Sequence, residues 1–112
     1  RLQMPDGPMF TLPAEGIFNA QPGVLRVALV GVHRAGELNA VIVWEGTADS
    51  PHSAAEISTQ LAAVAQQHDA TRAVRDFLHY GKGKGLPVDI RHNAKIDRPQ
   101  LAVWAAKRLG AA

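Results

Sequence analysis

Residues 24–45 read VLRVALVGVHRAGELNAVIVWE. The run 24–32 is almost wholly apolar and rich in β-branched side chains, and 38–45 repeats that character. Runs of this kind read as strands covered on both faces. The connection 33–37 is short, so the two strands are expected to be antiparallel neighbours. Arg26 interrupts the longest apolar run, and nothing approaches the ~18 residues of a membrane span.

Downstream, Ser53 and Glu56 have capping-box spacing. Ile57, Leu61, Val64 and His68 then recur at helical period, predicting an amphipathic helix of about four turns. Residues 73–80 read as a further strand. Strand, crossover helix and strand should make a right-handed parallel unit, so the sheet is expected to be mixed and three-stranded. Upstream, residues 2–4 and 9–12 flank an Asp-Gly turn and predict a hairpin, confined by its prolines to an edge. Pro13 suits a first helical position, with Glu15 in the first turn and Ile17 and Phe18 on an apolar side. Beyond the glycine-rich run 81–87, residues 88–90 read as a short extended piece. Asp97 and Gln100 then form a second capping box, and Leu101, Trp104, Ala105 and Leu109 share one helical face. Lys107, Arg108 and Gly110 suit the end of that helix. The expected class is α+β: an N-terminal hairpin, then a small mixed three-stranded sheet covered by helices.

The 112 residues fit one domain, and 46% hydrophobic with 20% charged is ordinary globular composition. There is no cysteine, which excludes disulfides, thiolate metal sites and a cysteine nucleophile. The formal charge is only +2, so the balance does not demand a nucleic-acid partner. The chain starts at Arg1 without a signal-peptide pattern, and reads as a domain cut from a longer, cytoplasmic protein.

No residue pattern here spells an active site unaided. Residues 81–85, GKGKG, lack the Gly-Lys-Ser/Thr and following helix of a phosphate loop, and read as a solvated loop in preference to a phosphate contact. The five histidines have no zinc-helix spacing and no acidic company, so no metal site is expected. No Gly-x-Ser-x-Gly elbow occurs. Trp44 and Trp104 fall on expected core faces. Lys82, Lys84, Arg91, His92, Lys95 and Arg98 concentrate positive charge, either as a solvated rim or as an anion-facing edge. Stacking aromatics do not interleave with them, which counts against single-strand nucleic acid.

Residues 86–98, LPVDIRHNAKIDR, resemble the last core motif of the adenylate-forming superfamily, which comprises acyl-CoA synthetases, peptide-synthetase adenylation domains and luciferases. That motif is a proline, a few residues, then Gly-Lys-Val/Ile-x-Arg before the final helix. Lys95, Ile96 and Arg98 match it in order. Gly7, residues 11–15 (TLPAE) and the run 19–24 (NAQPGV) resemble the opening of the same C-terminal domain. The run from Arg91 to Ile96 looks most like the bacterial β-lactone synthetases of olefin biosynthesis. Ala94 replaces the family's usual glycine, and Pro8 follows Gly7 in the loop that lines the thiol path of CoA ligases. Both departures weaken a CoA reading.

The resemblance implies the mobile C-terminal lid of an ATP-dependent, acid-activating ligase. Lys95 is then the adenylation lysine, and His92 and Arg98 are candidate nucleotide contacts. ATP and Mg2+ are expected to bind mainly to a large N-terminal domain, the lid's partner. The implied substrate is a long-chain β-hydroxy acid closed to a β-lactone, with release of AMP and pyrophosphate. The alternatives are the lid of a fatty acyl-CoA ligase and a free-standing anion-binding module. A lone lid should be inactive.

Overall fold

The computed structural model describes residues 2–4, 7–81, 85–89 and 95–110. The chain opens with a hairpin of β1 (Leu2–Met4) and β2 (Gly7–Met9), then α1 (Thr11–Asn19). Strands β3 (Val24–Arg34) and β4 (Glu37–Gly46) pair antiparallel along their length. Helix α2 (Ala54–Ala65) carries the chain to β5 (Asp76–His79), which lies parallel to β4 with Val41 opposite Asp76. A second small hairpin, β6 (Val88–Asp89) and β7 (Lys95–Ile96), precedes α3 (Arg98–Arg108). The central sheet is mixed, in the order β3-β4-β5. The class is α+β as expected.

Alternation along β3 and β4 divides the core in two. Val27, Leu29, Ile42 and Trp44 face Phe18 of α1 and Ile57, Leu61 and Val64 of α2. Ala28, Val30, Val41 and Val43 face Leu86 and, on α3, Leu101 and Ala105. The sheet is thus a middle layer with α1 and α2 on one side and α3 on the other. That double cover is why its strands lack a polar face.

Several boundaries differ from the expectation. The β3–β4 connection is a two-residue turn, with Arg34 paired to Glu37 and both Ala35 (φ 51°) and Gly36 (φ 80°) left-handed. Such turns match the twist of paired strands, so the ladder runs further than residue type suggested. Helix α2 stops at Ala65, short of His68. The buried hydroxyl of Thr71 donates to the Ala65 carbonyl at 2.8 Å, turning the chain there and leaving His68 exposed. The strand expected over 73–80 shrinks to Asp76–His79 because residues 71–73 form that turn. Helix α1 begins two residues before Pro13, with Phe10 as its N-cap. A proline is tolerated in the first turn, where its missing N–H has no helical partner. Glu15 therefore lies beyond the first turn, and its role is not to complement the helix dipole.

Candidate functional site

Lys95 opens β7, paired to Asp89 of β6, with its side chain exposed. It stands on a strand, β7, that pairs with the extended piece expected at residues 88–90. A two-residue ladder is too short to hold itself, so its placement comes from what flanks it. The Asp97 N–H donates to the Pro87 carbonyl at 2.8 Å and closes the base of the hairpin. The Asp97 carboxylate then accepts from Gln100 N at 3.1 Å as the N-cap of α3. That is half of the capping box expected from the Asp97–Gln100 spacing, since the Asp97 N–H goes to the Pro87 carbonyl and not to the Gln100 side chain.

Below this base, each side of the hairpin meets a carboxylate rooted elsewhere. On the entering side, Leu86 is buried and its N–H donates to Glu45 Oε1 at 3.0 Å. The same oxygen accepts from Arg26 Nη2 at 3.0 Å, so β3 and β4 jointly hold the chain end of the glycine-rich loop. On the leaving side, Arg98 Nη2 reaches both oxygens of Glu15, at 2.7 and 2.8 Å. Glu15 Oε2 also accepts from the Leu29 N–H at 2.6 Å, on the edge of β3 not paired to β4. The Glu15 side chain is 9% exposed and that of Arg98 37%. Arg98 Nε is buried and has no partner among the described residues.

Of the residues singled out in the sequence, Lys95 and Arg98 are thus brought together at the α3 entrance. Arg98 is committed to Glu15, 83 positions away. His92 lies outside the described residues, as do Lys82, Lys84 and Arg91. Among the described residues, no group of three or more histidines and carboxylates is placed to hold a metal ion. Glu15 and Glu45 were not foreseen as parts of this region. For Glu15 the available signal was a carboxylate between Ala14 and Phe18 on the buried side of a helix, where it needs a cation. Nothing in the sequence pointed to which one.

Among the described residues, the arrangement presents one exposed ammonium, that of Lys95, on a braced pair of strands. Chemically it can offer a point charge to an anion brought from outside the chain.

No protein-family model matches the chain. It is 44% identical over 111 residues to an olefin β-lactone synthetase of Xanthomonas campestris pv. campestris, covering 96% of this chain and 19% of that protein. It is 41% identical over 113 residues to an olefin β-lactone synthetase of Stenotrophomonas maltophilia, covering 97% and 19% respectively. The chain spans about a fifth of the length of these curated relatives. Among solved structures, an anthranilate CoA ligase in complex with anthranoyl-AMP superposes with a TM-score of 0.75 at 18% identity, over 99% of this chain and 20% of that one. ATP-bound MatB from Rhodopseudomonas palustris superposes with a TM-score of 0.69 at 15% identity, over 96% and 20%. The shared fold is that of the C-terminal domain of adenylate-forming enzymes.

Proposed function

We propose that this chain, which belongs with the olefin β-lactone synthetases by sequence and with the adenylate-forming ligases by fold, is the lid domain of an ATP-dependent acid-activating ligase. The supporting observation is the exposed, braced Lys95 in a chain that aligns with only 19% of its relative. On this reading a larger N-terminal domain binds ATP and the acid, and Lys95 enters from the lid. Mg2+, like ATP, would be held mainly by that other domain, as the family resemblance implies.

The chemistry needs such a cation. A substrate carboxylate oxygen attacks the α-phosphorus of ATP, a P–O bond forms, and the bond to the departing pyrophosphate breaks. Two anions meet, and charge gathers on phosphoryl and bridging oxygens. A positioned ammonium favours that transition state over the separated reactants. The β-hydroxyl then attacks the acyl carbonyl, loses its proton, and expels AMP to close the lactone. The long-chain β-hydroxy acid is the substrate this reading takes from the lactone-forming relatives.

In the full-length enzyme, Lys95→Ala should keep its melting temperature, since surface changes usually alter stability by less than ~0.5 kcal/mol. It should lose ~10²–10³ in acid-dependent pyrophosphate release. Lys82→Ala and Lys84→Ala should lose little, and the 112-residue chain alone should fold without activating acids. Equal losses in all three variants would make the basic rim a diffuse field instead. With free acid and ATP, product should form without CoA. A thioester made only when CoA is supplied would replace the lactone reading by an acyl-CoA ligase.

A further inference from the structure

The buried carboxylate of Glu15 and the guanidinium of Arg98 hold more than a helix in place. We infer that the Glu15–Arg98 pair is a positioning device for Lys95, setting where the ammonium stands relative to the reacting phosphate. The inference rests on the adenylation role proposed for Lys95.

Helix α3 does not need the pair in order to dock. Leu101 and Ala105, both fully buried, already seat it against Val30, Val41 and Val43. At the first turn, where Arg98 follows Lys95 by three positions, Ile96 packs against the same cluster and the Asp97 N–H bonds the Pro87 carbonyl, while the pair adds the tie to α1 and β3. There Glu15 takes the Arg98 guanidinium with one oxygen at 2.7 Å and the other at 2.8 Å. It ties that grip to the sheet through the Leu29 N–H at 2.6 Å. The chain path from β3 to the lysine is then short and stiff: Leu29, Glu15, Arg98, Asp97, Ile96, Lys95. The Asp97 N–H to Pro87 carbonyl bond transmits the same constraint to β6. A charge-assisted contact with a nearly buried carboxylate holds its geometry better than an exposed ion pair does. Reaction rates are sensitive to displacements of about 1 Å, which can cost ~10²-fold.

The contact also determines which replacement should succeed. A single nitrogen of Arg98, Nη2, reaches both carboxylate oxygens, while Nε is buried without a partner among the described residues. A lysine ammonium can supply one nitrogen and brings no Nε–H to strand. Charge exchange between the two positions should fail, because the Leu29 N–H requires an acceptor at position 15.

The test is a rate cycle in the full-length enzyme, reading acid-dependent pyrophosphate release under saturating ATP alongside the melting temperature. Glu15→Gln keeps an acceptor for Leu29 and removes the charge. It should lower kcat by on the order of 10-fold to 10²-fold, while Arg98→Lys stays within about 3-fold of the parent, a factor of ~3 being under 1 kcal/mol. In a Lys95→Ala background, Glu15→Gln should cause no further loss, because the pair acts through the lysine. Arg98→Gln runs the same cycle should Glu15→Gln fail to fold. Full additivity of the two losses, or an unchanged kcat in folded Glu15→Gln, overturns the positioning role while leaving the lysine's role standing. A Lys95→Ala enzyme of normal rate overturns the adenylation reading itself, and the inference with it.

Discussion

The indole Nε1 of Trp44 donates to Ser58 Oγ at 3.0 Å, fastening the middle strand of the sheet to α2. Ser58 Oγ in turn lies 3.4 Å from the Phe77 carbonyl on β5. One hydroxyl thus serves the crossover helix and both strands that it joins. Trp44 is almost fully buried, and its N–H is its one polar group. Ser58→Ala leaves that donor without its partner, which typically costs ~1–3 kcal/mol. The unfolding free energy from urea titration should fall by that amount with an unchanged denaturant slope. A drop below ~0.5 kcal/mol would mean that water reaches the indole edge.

The residues that carried the fold prediction are those whose burden is local. Ser53 and Glu56 form the expected capping box, each side chain bonded to the other's backbone N–H. The apolar runs in β3 and β4 became a sheet covered on both faces. Boundaries failed where a distant or unforeseen partner intervened. Thr71 ended α2 six positions away, and the positive φ of Ala35 tightened a turn that residue type alone made look like a five-residue loop. The site divides in the same way. Lys95 could be singled out because a motif surrounds it in sequence, whereas its support could not. Glu15 and Arg98 are 83 positions apart, and Leu86 meets Glu45 across 41. Such pairings are consequences of the layer order and have no signature in either segment.

Glu56 gives α2 a pH dependence whose sign is fixed. Its carboxyl is held below the ordinary 4.5 first by the bond at the Ser53 backbone, then by the Ser53 hydroxyl, with His52 adding attraction. A carboxyl depressed in the folded state contributes stability that is fully present above its unfolded value. The contribution is lost as pH falls through the lower, folded value. The gap in melting temperature between the parent chain and Glu56→Gln should therefore be constant at neutral pH. It should narrow once pH drops below about 4.5, the ordinary value, and close in stronger acid. A gap that widens on acidification would mean that the carboxylate is repelled in the fold.

Gly85 and Gly110 share a backbone conformation and differ in surroundings, which separates the cost of strain from the cost of crowding. Their φ angles are 70° and 72°. A Cβ on Gly110 would meet nothing within 4 Å, whereas one on Gly85 would lie 3.0 Å from Arg26 Nη2 and 3.2 Å from both Glu45 oxygens. The Arg26 side chain can swing aside. Glu45 cannot do so freely, because Oε1 also accepts from the Leu86 N–H at the foot of the lysine hairpin. Gly110→Ala should cost ~1 kcal/mol, the left-handed penalty for an L-residue, softened at a helix end. Gly85→Ala should cost that plus ~1 kcal/mol or more for a disturbed charge-assisted bond. The two variants should also part in rate. Displacing Glu45 shifts the entering side of the hairpin, so Gly85→Ala in the full-length enzyme should slow acid-dependent pyrophosphate release several-fold or more. Gly110→Ala, at the far end of α3, should leave the rate unchanged. Equal stability costs would show that Arg26 and Glu45 repack without strain. Equal rates would show that the entering side of the hairpin does not govern where Lys95 stands.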